Sequence, residues 1–223
     1  MHTLVIQFTP SNNYQKNLDK LVTLINNSNA KLIVAPEVII TDFDYKNWLK
    51  ANSFADTIKN ELLKIKDKII ILTMIENNKN IVYVFYNQKV VYKREKVKLF
   101  GYEKKYFEVG DIEPEIFEID GVKFAILICF EIRFIEYWQK IKGVDIVVVP
   151  AMWGIERKKH LITLSNALAL TLQSFVVVSD GLAKGSGIIS PWQDEIRDSN
   201  VDNISADIDL NFIQKIRKRL PLE

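Results

Sequence analysis

The opening stretch limits the possible folds more than any other. Thr3 to Phe8 (Thr-Leu-Val-Ile-Gln-Phe) reads as a short apolar strand. Pro10-Ser11-Asn12-Asn13 is a turn that carries helix-capping residues. Tyr14 to Asn26 then follows a helical period through Leu18, Leu21, Val22 and Ile25, and Lys31 to Ala35 is a second strand. Strand, helix and strand in so few residues predict a right-handed crossover and therefore a parallel sheet.

The same alternation continues. A helix is predicted over Phe54 to Lys66, strands over Ile69 to Met74, Ile81 to Tyr86 and Val90 to Tyr92, and strands again over Ile112 to Ile119 and Val122 to Ile128. The Asn77-Asn78-Lys79-Asn80 turn makes the middle of the chain antiparallel in character. Asp145 to Val149 is a very apolar strand, Glu156 to Gln173 a long helix, and Phe175 to Ser179, Gly185 to Ile189 and Asn203 to Asp207 further strands. Asp209 to Arg219 closes as a helix. Helices alternating with strands of both kinds predict an α/β sandwich with mixed sheets. No linker-like stretch divides the chain, so residues 1–223 are expected to form a single domain.

Within this pattern the sole cysteine of 223 residues stands out. Cys129 follows the Val122 to Ile128 strand and precedes Glu131 to Lys140, which reads as a helix. A thiol at a strand-to-helix switch meets backbone N–H groups and the positive end of a helix, so a lowered pKa and a reactive thiolate are expected. A lone cysteine also fits a small buried hydrophobe.

Ligands of open α/β sheets bind beyond the carboxyl ends of strands. Three such ends carry chemistry: Glu37 after Leu32-Ile33-Val34-Ala35-Pro36, Cys129 after Ile128, and Trp153 after Val149. Lys96 lies in Lys93-Arg94-Glu95-Lys96-Val97-Lys98-Leu99-Phe100. Alone, each has an ordinary reading: Glu37 as a surface carboxylate, Lys96 as one charge of a solvated basic run, Trp153 as core. Glu103 fits a surface ion pair with Lys104 or Lys105, and Arg133 a helix surface.

Taken in order, these residues resemble the nitrilase superfamily of carbon–nitrogen hydrolases. Gln7 with Asn17-Leu18 resembles the first βα unit of that family. Pro36-Glu37 with Thr41 and Phe43 resembles its glutamate motif, and Lys96-Val97-Lys98-Leu99-Phe100 with Glu103, Phe107 and Gly110 its lysine motif. Cys129-Phe130-Glu131-Ile132-Arg133-Phe134 resembles its cysteine motif. Pro150-Ala151-Met152-Trp153, Gly185-Ser186-Gly187 and Pro191 resemble its later signatures.

The resemblance implies a four-layer αββα sandwich with two mixed β-sheets, and a Glu37–Lys96–Cys129 triad. Cys129 would be the nucleophile and form a thioester, Glu37 the general base and acid, and Lys96 with the backbone N–H of Phe130 the oxyanion site. Glu103 would position lysine or substrate, Arg133 would be buried and paired, and Trp153 would wall the pocket. The implied substrate is a small non-peptide amide; nitrile or N-carbamyl compounds would use the same residues. A homodimer is implied, with the helix after Cys129 and the helix through His160 as contact surfaces.

Four positions depart from the family pattern: Lys98 where His is frequent, Glu131 for Asp, Met152 for Asn, and Thr171 for Glu. Met152 and Thr171 would lie near the pocket or its support. Two other readings stay open, a Cys–His hydrolase using His160 and a catalytically silent binding protein of the same fold.

Other classes fit poorly. Thirty basic and 28 acidic residues give a net charge of +2, too balanced to imply nucleic acid. One cysteine and two histidines supply no metal-ligand set, and there is no phosphate or dinucleotide fingerprint, so no metal or cofactor is expected. No apolar run is long enough to span a bilayer, and Met1-His2-Thr3 lacks the regions of a signal peptide, so the reading is cytoplasmic with no membrane partner.

Overall fold

The computed structural model describes residues 1–222. In chain order the first half contains β1 (His2–Ile6), α1 (Tyr14–Asn26), β2 (Leu32–Val34), α2 (Trp48–Ser53), α3 (Ala55–Leu62), β3 (Ile69–Glu76), β4 (Lys79–Tyr86) and β5 (Lys89–Glu95). The second half contains β6 (Phe117–Ile119), β7 (Val122–Ile126), α4 (Ile135–Lys140), β8 (Ile146–Ala151), α5 (Lys158–Leu172), β9 (Phe175–Asp180), β10 (Gly187–Ile189), β11 (Glu195–Ile196), β12 (Asn203–Asp207) and α6 (Leu210–Arg219).

The strands form two six-stranded sheets, ordered β12-β1-β2-β3-β4-β5 and β11-β10-β9-β8-β7-β6. Both are mixed. β1, β2 and β3 run parallel, as do β7, β8 and β9, and the flanking strands are antiparallel. The expected crossover is present: Val5 is opposite Val34, with α1 between the two strands.

Side-chain alternation explains the layers. Successive residues of a strand point to opposite faces. Val5, Leu32, Val34, Ile69 and Ile71 enter the core shared with the second sheet. Their neighbours Leu4, Ile6, Ile33, Ile70 and Leu72 pack instead with Leu18, Leu21 and Ile58 of α1 and α3. In the second sheet β8 and β9 are buried along their whole length, the mark of strands covered on both faces. α5 packs on β9 and β10. The result is the αββα sandwich, with helices on both outer faces.

Several boundaries differ from expectation. The segment after Cys129 is not one helix. A 3₁₀ turn spans Cys129–Arg133, Phe134 is extended (φ −99°, ψ 99°), and α4 starts at Ile135. The Trp138 indole donates to the Ile132 carbonyl at 3.0 Å, taking the acceptor a continuous helix would have used. Strand residues before Phe117 are absent because Pro114 cannot donate to a ladder. α2 was not anticipated, and the helix over Phe54 to Lys66 shortens to α3. A 3₁₀ turn, Ile155–Arg157, replaces the first turn of the helix through His160.

Candidate active site

The two sheets end side by side where β2, β7, β8 and β9 present their carboxyl ends. The backbone N–H of Glu37, two residues past Ala35, donates to the Ala151 carbonyl at the end of β8 at 3.3 Å. That bond crosses from one sheet to the other. Val38 takes a left-handed conformation (φ 42°), and its N–H donates to Thr73 Oγ1 at 2.8 Å. This turns Glu37 inward, where it is fully buried.

Lys96, just beyond β5, is also fully buried. Its Nζ donates to Glu37 Oε1 at 2.7 Å and to Glu103 Oε1 and Oε2 at 2.8 and 2.9 Å. Glu37 Oε1 also accepts from Asn80 Nδ2 at 2.8 Å. Glu37 Oε2 is buried with no hydrogen-bond partner. Burial opposes the charge on Lys96, but the neighbouring acidic groups, Glu37 first and then Cys129 and Glu103, outweigh it and hold the ammonium above its ordinary range.

Glu103 sits in a 3₁₀ turn, Gly101–Lys105, and reaches back to accept from the Phe100 N–H at 2.7 Å. Burial pushes its carboxyl up to about 7 against the pull of Lys96, and the like charge of Glu37 adds to the rise.

Cys129 is buried and left-handed (φ 50°), a sharp elbow three residues past the end of β7. For a residue with a Cβ this conformation is strained. The expected low pKa is not found. Burial raises the thiol well above its ordinary value, Glu37 raises it further, Lys96 lowers it and Glu103 raises it. The helix meant to favour thiolate is only the five-residue 3₁₀ turn, so carboxylates and desolvation decide.

The elbow is held from behind by a pair that sequence reading missed. Glu131 Oε1 accepts from Arg94 Nη1 (3.0 Å) and the Val97 N–H (2.8 Å). Its Oε2 accepts from Arg94 Nη2 (2.6 Å) and the Ile128 N–H (2.8 Å). Both side chains are inaccessible to solvent. One buried carboxylate thus ties β5, which leads into Lys96, to the turn that carries Cys129. Glu131 stands in the cysteine motif, three residues past Ile128, the spacing at which a carboxylate can cap a backbone N–H, but no sequence signal pointed to Arg94 as its partner.

A small cavity at Cys129 is lined by Phe100, Phe130, Arg133, Met152, Trp153 and Arg157. Trp153 is 3% exposed, and its N–H donates at 2.8 Å to the buried Asp180 at the end of β9, another residue sequence reading passed over. Arg133 departs from expectation. It is half-buried, lies 4.7 Å over the Trp153 ring, and its Nη2 is 3.1 Å from His160 Nδ1 rather than paired with a carboxylate. The carboxylate of its own turn is already committed to Arg94. Arg157 lies 4.8 Å over the Phe100 ring. Both guanidinium groups therefore border the cavity.

Met152 lines this cavity, but Thr171 does not. Thr171 is exposed at a separate cleft with Gln139, Lys142 and Arg217. Lys98 also points elsewhere, with its Nζ 4.7 Å from the Phe134 ring. His160 is exposed and engaged by Arg133. Among the described residues no helix is long and apolar enough to cross a membrane.

Residues 5–218 match the family model for carbon–nitrogen hydrolases. The chain is 27% identical over 222 residues to the 2-oxoglutaramate amidase of Bacillus subtilis (strain 168), covering 86% of this chain and 83% of that protein. It is 32% identical over 121 residues to omega-amidase NIT2 of Xenopus tropicalis, covering 48% of this chain and 44% of that one. Among solved structures, Nit3 of Saccharomyces cerevisiae, a member of branch 10 of the nitrilase superfamily, superposes with a TM-score of 0.85 at 20% identity. The match covers 100% of this chain and 94% of that one.

Proposed function

Because this chain belongs to the carbon–nitrogen hydrolase family, we propose that it hydrolyses small non-peptide amides through Glu37, Lys96 and Cys129. The observation that carries the reading is the asymmetry of Glu37. One carboxylate oxygen is held by Lys96 and Asn80, while Oε2 is buried with no partner and is free to take a proton.

With its pKa raised, the Cys129 thiol must lose its proton as it attacks. Glu37 Oε2 takes that proton while Sγ bonds to the amide carbon. The negative charge that develops on the substrate oxygen is met by Lys96 Nζ and the Phe130 N–H. Collapse of the tetrahedral species breaks the carbon–nitrogen bond, and Glu37 gives its proton to the departing ammonia or amine. A water then enters, loses a proton to Glu37 and attacks the thioester; the acid leaves and Glu37 returns the proton to Sγ. Glu103 keeps the ammonium in place throughout.

The acyl group is proposed to be short and to end in a carboxylate. Arg133 and Arg157 border the Cys129 cavity, and the Bacillus relative is named for an amide of this chemistry. The chain is further proposed to work as one domain, in the cytoplasm, as a homodimer, which light scattering at micromolar concentration would test.

The deciding experiment measures ammonia release from monoamides of short dicarboxylic acids, with simple amides, carbamoyl compounds and nitriles alongside. Cys129→Ala is expected to be inactive. Lys96→Ala should lower kcat by about 10²–10³-fold, the effect of losing one oxyanion donor, and Lys96→Arg should not restore it. Glu37→Gln should be as damaging, and His160→Ala should leave kcat within about tenfold, a barrier change near 1.4 kcal/mol. An inactive His160→Ala beside an active Glu37→Gln would replace the triad by a Cys–His pair. No product from any substrate would favour the silent binding protein.

A further inference from the structure

Two charged partners of Cys129 meet on one uncharged residue, Asn80. β3 runs parallel to β2, β4 returns antiparallel and β5 turns back again. β4 therefore begins, and β5 ends, beside the carboxyl ends where the site lies. Val82 and Val84 of β4 face the core between the sheets, and alternation puts Asn80 on the same face, where that core gives way to the site. The Asn80 carbonyl accepts from the Lys96 N–H at 2.8 Å, and its Nδ2 donates to Glu37 Oε1 at 2.8 Å.

Packing does not account for this side chain. Asn80 is fully buried, and its Oδ1 has no hydrogen-bond partner among the described residues. An unmet buried acceptor is costly, and leucine would fill a similar volume without that cost. What leucine lacks is the donor to Glu37. The bonds of Lys96 show why Glu37 needs a second donor. Its Nζ has three N–H groups, and they go to Glu37 Oε1 and to both oxygens of Glu103. As charge develops on the substrate oxygen, one of the three has to turn to it. The bond to Glu37 is the one that weakens, because that carboxylate becomes neutral as it takes the thiol proton. The Asn80 donor is uncharged and suits Glu37 Oε1 in either state.

Resting on the triad reading above, we propose that Asn80 is a positioning residue. It holds Glu37 Oε1 while Lys96 turns to the substrate oxygen, and so keeps Oε2 aimed at each proton it takes and gives back. Its backbone bond to Lys96 survives any side-chain change, so substitution removes the hold on Glu37 alone.

The test measures kcat and KM of the parent, Asn80→Leu and Asn80→Asp on the best accepted amide of the panel above, with thermal melting of each. Asn80→Leu should lower kcat by about ten- to hundredfold and leave KM within about threefold, since the donor acts on the reacting geometry rather than on binding. Asn80→Asp restores a donor of the same shape only while its new carboxyl is protonated. Its kcat relative to the parent should be highest at low pH and fall as that group ionises. The groups facing this position are Glu37, Lys96, Glu103, Cys129 and Tyr45, with the Lys79–Glu95 ion pair beside it on the neighbouring strands. All are common to both proteins, so the ratio isolates the new carboxyl. Asn80→Leu with the kcat of the parent, or a ratio for Asn80→Asp that is flat with pH, would overturn the proposal and leave the triad standing if Glu37→Gln is still damaged. Should Asn80→Leu melt well below the parent, the pH dependence of Asn80→Asp decides alone. A parent that hydrolyses no amide would remove the triad reading and this proposal with it.

Discussion

Replacing Glu131 by glutamine is expected to destabilise this protein far more than a one-atom change suggests. The carboxylate accepts four hydrogen bonds, two from Arg94 and one each from the Val97 and Ile128 N–H groups. Glutamine has one carbonyl oxygen, and its NH₂ would face a donor on one side or the other. Arg94 would stay in place as a buried, unneutralised guanidinium, a situation that costs about 3–5 kcal/mol when one partner of a buried pair is lost. An orphaned backbone N–H carries about 1–3 kcal/mol, part of it already in that figure, so about 4 kcal/mol is a fair central value. For a chain of this length that corresponds to a fall in Tm of about 8–16 °C. The double variant Arg94→Met/Glu131→Met removes the stranded charge and should cost clearly less than its two single changes summed, with a coupling of about 2–3 kcal/mol. Equilibrium urea unfolding of the parent, Arg94→Met, Glu131→Met and the double variant measures every corner of the cycle, with Glu131→Gln measured beside them. Glu131→Gln within about 1 kcal/mol of the parent, or a double variant that is simply additive, would refute the claim that this pair braces the elbow.

Three further expectations follow from the same geometry. Alkylation of Cys129 by iodoacetamide should need alkaline pH in the parent, and Glu37→Gln should move the pH of half-maximal reactivity downward because a negative charge that holds the proton is gone; an upward move would contradict the charge assignment. Glu103 is raised from 4.5 to about 7 on folding, so the folded state holds its proton more tightly. Its stabilising contribution is complete below the unfolded value and is lost as pH rises through about 7, so the Tm of the parent minus that of Glu103→Gln should decline across this window, and a constant difference would be wrong. A Cβ at Gly110 would lie 2.5 Å from Glu95 Cβ and 2.9 Å from its carbonyl, beside the Gly110 N–H bond to the Lys96 carbonyl. Gly110→Ala should therefore cost about 1–3 kcal/mol in urea unfolding, and a neutral substitution would show that the contact is slack.

The local pattern of residues was enough to predict the β1–α1–β2 crossover, the antiparallel middle and the buried runs of β8 and β9. Each rests on periodicity or apolar composition within one segment. Cys129 at a strand end and Glu37 after Pro36 were legible for the same reason, and family motifs singled out Lys96 from a basic run that otherwise looks solvated.

What only the tertiary structure decided depends on partners far apart in the chain. Lys96 is buried because Glu37, 59 residues away, and Glu103 receive its ammonium. Asn80 looked like turn punctuation, yet it lies in β4 and donates to Glu37 across the sheet. Arg94 and Glu131 were ordinary charges until folding set them face to face, 37 residues apart. The helix predicted after Cys129 is interrupted at the extended Phe134, where the Trp138 indole, from further along the chain, meets the Ile132 carbonyl. The direction of the thiol pKa reversed for a related reason. A helix terminus was read from one segment, whereas two carboxylates and the loss of water arrived from the rest of the fold. Periodicity is a property of neighbours along the chain. Burial and charge at a site are sums over neighbours in space, and those exist only once the two sheets have closed on each other.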